Sequence, residues 1–260
     1  MDNKTGKLIP ENDKNLYFDI GNSAIKISYL EQGKWTEPSV FAHNEISGLL
    51  QWLSDVRDEF DRFIVASVVQ KTAKALLGGL GQGKNIQIRT DDIPEAFTDY
   101  ESIDTLGVDR LLAAIGAWSR REEPCVVIDG GTACTIDYID ERGVFRGGAI
   151  LPGLTMLEQA VEQYTPALPR VERKIPDRWP GKSTESCLQW GIAGGFVDAV
   201  KTALSRYDGM GEFNILLTGG DVNILKQYID REMTEDQKLV FRGMHYVYSL
   251  ITSSGQSEQS

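Results

Sequence analysis

Leu16-Tyr17-Phe18-Asp19-Ile20-Gly21-Asn22-Ser23 and Val126-Val127-Ile128-Asp129-Gly130-Gly131-Thr132-Ala133 are two versions of one phrase. In each, an apolar run ends in a carboxylate, then glycine, then a small polar residue. A second strand-like run follows, Ala24 to Leu30 in the first and Cys134 to Ile139 in the second. Glycine permits a turn with φ > 0 and lets backbone N–H groups approach a ligand closely. The hydroxyl or amide beside it donates hydrogen bonds, and the aspartate can hold a divalent cation through its water shell. A single copy is weak evidence, because Asp and Gly are ordinary turn residues. Two copies, each opening a domain-sized unit, favour a pair of hairpins that grip a nucleotide polyphosphate.

Composition narrows the setting. At 260 residues and 41% hydrophobic, the chain can bury one large core or two modest ones, and the duplicated phrase favours two. No apolar run approaches the roughly 20 residues needed to span a bilayer. The first fifteen residues are polar and charged and read as a solvated leader, not a secretory signal. Cys125, Cys134 and Cys187 are odd in number and set among apolar residues, which suggests buried free thiols in a reducing cytoplasm. With only His43 and His245, and no zinc-ligand spacing, a histidine-based metal site or nucleophile relay is disfavoured.

The formal charge of −11 argues against nucleic acid and anionic membranes as partners. It also constrains the nucleotide reading. Two unit charges 4 Å apart repel by about 4 kcal/mol at an effective dielectric of 20. A triphosphate beside Asp19 and Asp129 therefore needs Mg²⁺, with help from a lysine or another cation.

Strands alternate with helices along the chain, the pattern of an α/β architecture. Leu16 to Ile20 and Ala24 to Leu30 read as a hairpin. Glu45 to Phe60 has helical spacing, Phe63 to Val69 reads as a strand, Lys71 to Leu80 as a short helix and Asn85 to Arg89 as a strand. Val108 to Trp118 is an amphipathic helix. The order repeats from Pro124, with strands from Cys125, Cys134 and Val144 and helices from Leu154 and from Ser186 to Tyr207. A strand from Phe213 to Leu217 then ends in Thr218-Gly219-Gly220-Asp221. The boundaries expected are one domain over 15–117 and a second over 118–252, with 1–14 and the Ser/Gln-rich 253–260 disordered.

Other motifs are ambiguous alone. Lys26 can reach phosphate or face solvent. Gly78 to Asn85 approaches a P-loop but has Asn85 where Ser or Thr should hold Mg²⁺ and follows a helix, so it reads as a flexible surface loop. Gly107-Val108-Asp109-Arg110 opens a helix, where an acid is favoured by the dipole alone. The same physics keeps Asp109 ionised and able to accept a proton from a substrate hydroxyl, while Arg110 can pair with a carboxylate or phosphate. Gly147 to Gly153 reads as a tight strand-to-helix link. Thr218 to Asp221 can receive an adenine face or be a plain turn, and Thr184 has helix N-capping as its default role.

Taken together, these signals resemble the type III pantothenate kinases, within the acetate and sugar kinase, heat-shock ATPase and actin superfamily. The resemblance runs from Leu16 to about Leu250 and rests on DIGNSAIK (19–26), Tyr100 before GVDR (107–110), DGGTACT (129–135), GGAILPG (147–153), Thr184 before Gly191, and LTGGD (217–221). It implies two actin-like (ribonuclease H-like) domains with the nucleotide cleft between them, and a cytoplasmic homodimer. The implied activity is transfer of the ATP γ-phosphoryl to pantothenate, giving 4'-phosphopantothenate in the first step of coenzyme A biosynthesis. By the family pattern Asp19, Ile20, Gly21, Asn22, Ser23, Ala24, Ile25 and Lys26 meet ATP with its Mg²⁺, and Thr132 also contacts ATP. Asp109 matches the proton acceptor. Tyr100, Gly107, Val108, Asp109, Arg110 and Thr184 match pantothenate contacts, and Asp129 matches a monovalent-cation ligand for K⁺ or NH₄⁺. Ser23 replaces the usual Thr, and Ile103 stands where proline is often found. The rival readings are a sugar or acetate kinase of the same superfamily and a non-catalytic nucleotide-binding regulator.

Overall fold

Each Asp-Gly phrase begins a separate mixed sheet. The structure is a computed structural model and describes residues 14–81 and 83–257. It divides into two compact units, 1–121 with 238–260, and 122–237.

In the first unit, β1 (Asn15–Ile20) turns into antiparallel β2 (Ile25–Glu31) and lies parallel to β5 (Arg62–Ser67). The short β3 (Lys34–Trp35) and β4 (Ser39–Phe41) extend β2, and β6 (Asn85–Ile88) pairs with β5. Side chains alternate along β1. Leu16, Phe18 and Ile20 enter a core with Ile25, Ile27, Phe63 and Val65. That core is closed by Leu49 and Leu53 of α1 (Ile46–Val56) and by Ala73 and Leu76 of α2 (Gln70–Leu80). Tyr17 points the other way, edge-on to Trp35 and hydrogen-bonded through its hydroxyl to His245 Nδ1 at 2.9 Å. Helix α3 (Val108–Trp118) has Leu111 to Trp118 buried throughout.

The second unit repeats the plan. Strand β7 (Cys125–Gly130) turns into antiparallel β8 (Ala133–Ile139), β9 (Phe145–Pro152) follows, and β7 lies parallel to β10 (Asn214–Gly219). Helices α4 (Leu154–Tyr164), α5 (Thr184–Gln189), α6 (Gly195–Ser205) and α7 (Val222–Tyr228) follow the chain, with the two-residue strand β11 (Thr234–Glu235) beside β10. Val126, Ile128, Ile136 and Leu217 pack with Phe196, Val197, Val200 and Leu225. The equivalence is close: Asp19 and Asp129 are each the penultimate residue of the first strand of a hairpin, flanked on the other side by a parallel strand.

Several expectations need correction. The last helix, α8 (Leu239–Ser257), belongs with the first unit, although the second domain was expected to reach 252. Glycines let α3 and α8 pack backbone to backbone: a Cβ at Gly116 would lie 2.0 Å from Leu239 O, and one at Gly243 would lie 1.9 Å from Leu112 O. Of the tails expected to be disordered, 1–13 and 258–260 lie outside the described residues. Lys14 accepts a hydrogen bond from Asp61 N–H, and 253–257 continue α8. There the Ser253 hydroxyl donates back to Ser249 O.

The long helix expected from Ser186 is present from Thr184 to Ser205 with helical backbone at both junctions, but it winds as a π-helical turn over Trp190–Gly194. Gly78 and Gly79 lie inside α2 and Asn85 Nδ2 donates to Gly81 O at 2.7 Å, so the first part of the near-P-loop is a helix C-terminus, while Gln82 lies outside the described residues. Cys125 and Cys134 are buried free thiols as expected, but Cys187 is exposed on α5, a helix with a single buried residue.

Candidate active site

In the first unit the residues expected to meet ATP form the end of β1, a turn and the start of β2. Ile20 and Ile25 are fully buried in the core, so only their backbone can serve a ligand. Asp19 and Lys26 are register partners on the opposite sheet face, with Asp19 7% exposed. Gly21 N–H donates to Ala24 O at 3.1 Å and closes the turn, leaving Asn22 and Ser23 exposed. His43 lies against this turn, its Nε2 3.1 Å from Gly21 O and 3.1 Å from Asn22 O.

The GVDR segment and Tyr100 lie side by side. Gly107 precedes the first turn of α3, and Asp109 Oδ1 accepts the Arg110 N–H at 2.8 Å. The Arg110 guanidinium lies over the Tyr100 ring, 5.9 Å from its centroid, within reach of a cation–π attraction. A Cβ at Gly107 would lie 2.5 Å from Asp109 Oδ1, so a larger residue there would displace that carboxylate. Val108 is buried and serves the core. Ile103 heads the 3₁₀ turn Ile103–Thr105, a first-turn position where proline is also well tolerated.

In the second unit Asp129 lies beside Gly219, whose φ is +88°. A Cβ at Gly219 would be 2.5 Å from Asp129 Oδ1. The turn is bound by main chain: Gly131 N–H donates to Ala133 O, Gly153 N–H to Thr132 O, and Asp221 N–H to Gly130 O. Sequence reasoning missed the roles of Asp221 and Arg173. Asp221 Oδ2 faces Leu154 N–H at the start of α4, while Arg173 bridges Asp221 Oδ1 (3.3 Å) to Glu158 Oε2 (2.6 Å) and Thr155 Oγ1 (2.8 Å). LTGGD marked Asp221 as a turn residue, but no spacing pointed to Arg173, which lies 48 residues away along the chain.

The electrostatics of this corner are unfavourable to further negative charge. Burial raises the Asp221 pKa despite help from the Leu154 N–H and Arg173. The Cys134 thiol is pushed up to about 12, first by burial and then by Asp129, Asp221 and Asp137. Cys134 is therefore an inert core thiol at neutral pH.

Thr184 is exposed, and the capping hydroxyl of α5 is that of Ser183, which accepts from Ser186 N–H at 3.1 Å. The default capping role assigned to Thr184 is thus taken by its neighbour. A cavity of about 820 Å³ lined by Glu123, Asp208, Asn214 and Arg231 lies at the start of β10. Asp129 pairs with Thr218, four residues further along that strand and roughly 13 Å away, so this cavity is not the expected site.

Among the described residues no three His, Cys, Asp or Glu side chains gather as a metal cage, and no helix is long and apolar enough to cross a membrane. Asp19 in the first unit and Asp129 in the second each bring a carboxylate to the end of the first strand of a hairpin, the oxygen chemistry that a hard cation takes.

A model of the type III pantothenate kinase family matches residues 15–206. A type III pantothenate kinase of Flavobacterium johnsoniae is 30% identical over 236 residues, covering 90% of this chain and 96% of its own length. That of Phocaeicola vulgatus is 31% identical over 240 residues, covering 90% and 98%. Among solved structures, a Campylobacter jejuni protein provisionally described as a Baf family transcriptional activator is 25% identical, with a TM-score of 0.63 over 92% of this chain and 99% of its own. A Sinorhizobium meliloti protein provisionally described as a 2-dehydro-3-deoxygalactonokinase is 11% identical, with a TM-score of 0.57 over 91% and 99%. The second likeness speaks for fold alone: two actin-like α/β domains of the kind found in sugar kinases.

Proposed function

The chain belongs to the type III pantothenate kinase family, and on that premise we propose how its residues divide the reaction. The activity is phosphorylation of pantothenate, a phosphotransfer to an alcohol that begins coenzyme A biosynthesis. In our reading the Gly21–Ala24 turn, with Asp19 and Lys26, receives the ATP phosphates through backbone N–H groups, the Asn22 amide and the Ser23 hydroxyl. Thr132 contacts the same nucleotide. Mg²⁺ on the phosphates would supply charge neutralisation, with Asp19 as the carboxylate that would hold it, and Asp129 would hold K⁺ or NH₄⁺.

The observation that carries the acceptor side is the cluster at the head of α3. Asp109 stands in the first helical turn, with Arg110 spread over Tyr100 beside it. Asp109 Oδ1 is occupied by the Arg110 N–H. The carboxylate as a whole accepts the proton of the pantothenate primary hydroxyl as the phosphoryl group departs. A loose transition state asks little of this base, so positioning and charge neutralisation supply most of the acceleration. Arg110 pairs with the pantothenate carboxylate, and Tyr100 gives the pocket an aromatic wall. Thr184, relieved of capping, contributes a hydroxyl to the same substrate. The enzyme works as a cytoplasmic homodimer.

A coupled ADP-release assay with pantothenate, glucose and acetate, run with Mg²⁺ and K⁺, tests this reading. Turnover on pantothenate alone is expected. Preference for glucose or acetate would move the chain to another kinase of the superfamily. Tight ATP binding with no turnover would make it a regulator of the kind suggested by the description of the Campylobacter protein.

A further inference from the structure

His43 is one of two histidines in the chain and has no part in the family pattern described above. Its ring nonetheless joins three segments. Nε2 lies 3.1 Å from Gly21 O and 3.1 Å from Asn22 O, and Nδ1 lies 3.0 Å from Thr72 Oγ1 in the first turn of α2. Carbonyl oxygens only accept, so the hydrogen is on Nε2 and is shared between them. Nδ1 and the Thr72 hydroxyl share the third hydrogen bond of the ring, at 3.0 Å. Thr72 is buried on the packed face of α2, so the ring is braced against the core of the unit.

The consequence follows from peptide geometry. The only cis peptide among the described residues is Trp179–Pro180. In a trans peptide the C=O and N–H point in opposite directions. Holding the carbonyls of Gly21 and Asn22 toward His43 therefore turns the N–H groups of Asn22 and Ser23 away from it. Two successive N–H groups turned to one side form a nest for an anion.

We propose that His43 is a positioning residue for the nucleotide: braced by Thr72, it fixes the peptide planes of the Gly21–Ala24 turn so that the Asn22 and Ser23 amides are aimed at phosphate. This rests on the reading that residues 19–26 meet ATP. His43 itself touches no reacting atom. Without it the turn keeps its Gly21–Ala24 hydrogen bond, but its peptide planes can rotate, and the donors must be reordered each time a nucleotide binds.

The test uses the full chain with His43→Ala, His43→Gln and Thr72→Val. It combines steady-state kinetics in both substrates with amide hydrogen exchange of the segment 19–26. His43→Ala is expected to raise KM for ATP about tenfold, the scale of lost hydrogen bonds to a charged ligand, with KM for pantothenate within about twofold of wild type. Exchange in the turn should quicken. The side-chain amide of His43→Gln can restore a donor and should recover most of the loss, whereas Thr72→Val should move KM for ATP the same way by less. If His43→Ala does not fold, the glutamine and valine variants carry the same comparison. An unchanged KM for ATP with unchanged exchange would overturn the clamp. Faster exchange with unchanged KM for ATP would instead remove the turn from the nucleotide site, and the proposal with it. A fall in kcat with both KM values shifted, not recovered by glutamine, would reduce His43 to a structural residue.

Discussion

In the first unit the Gly21–Ala24 turn is steadied from outside by a side chain, His43, and a Cβ at Gly21 would meet nothing nearer than Ala24 O at 3.7 Å. In the second unit the corresponding turn is steadied by main chain, and its surrounding glycines leave no room. A Cβ at Gly153 would lie 2.0 Å from Gly131 O, and one at Gly130 would lie 2.9 Å from Asp221 Cβ. The same Asp-Gly phrase thus produces one turn that can be adjusted and one built into the sheet. Backbone contacts cannot be relieved by a rotamer change, whereas a side-chain clamp can be released and re-formed.

The largest expected effect lies outside both turns and sets the scale for them. Asp109→Asn should lower kcat by about 10²–10⁴-fold, the range for loss of a general base, with ATP binding little changed. Single-turnover kinetics with a separate nucleotide titration measure the two parts. Near-normal turnover would remove Asp109 from its role and leave the hairpins as the only functional contrast.

Next comes Gly153→Ala, which forces carbon into a backbone oxygen. It should cost about 1–3 kcal/mol and lower Tm by about 3–10 °C in a thermal scan. Gly21→Ala, within the first turn itself, should stay within about 1 kcal/mol of wild type, because its Cβ makes only an ordinary contact. Equal losses at the two positions would abolish the distinction between a built-in and an adjustable turn.

A smaller, pH-dependent effect tests the electrostatic side of the second turn. The folded pKa of Asp221 is raised above the ordinary 3.8, chiefly by burial. In the window just above that value the folded state binds more protons than the unfolded state, so this group's contribution to stability declines as pH rises through its folded pKa. Asp221→Asn should flatten that decline, as read by urea unfolding at several pH values. A steeper decline in the variant would mean that Arg173 and the Leu154 N–H outweigh burial.

Much of this organisation was legible in the chain. The bounds of Val108–Trp118 match the apolar spacing of Val108, Leu111, Leu112 and Ile115, and both hairpins appear where strand-like runs flank the Asp-Gly phrases. Short-range features were harder to read. Strands β3, β4 and β11 have only two or three residues each and leave little periodicity to detect. The π-helical turn at Trp190–Gly194 interrupts a segment whose sequence still reads as continuous helix. Thr184 and Ser183 compete for one cap, and the local sequence does not choose between adjacent hydroxyls.

The sequence by itself determined the duplicated α/β plan, the family, and the residues at which chemistry is expected, because strand alternation, turn glycines and helix starts are set by neighbours along the chain. Only the tertiary structure decided that α8 returns to the first unit through Gly116 and Gly243, that Arg173 holds Asp221, and that His43 reaches the Gly21–Ala24 turn. Those contacts join residues from about twenty to well over a hundred positions apart. Their partners are chosen by how packed elements bring groups within hydrogen-bonding range, which no local pattern records.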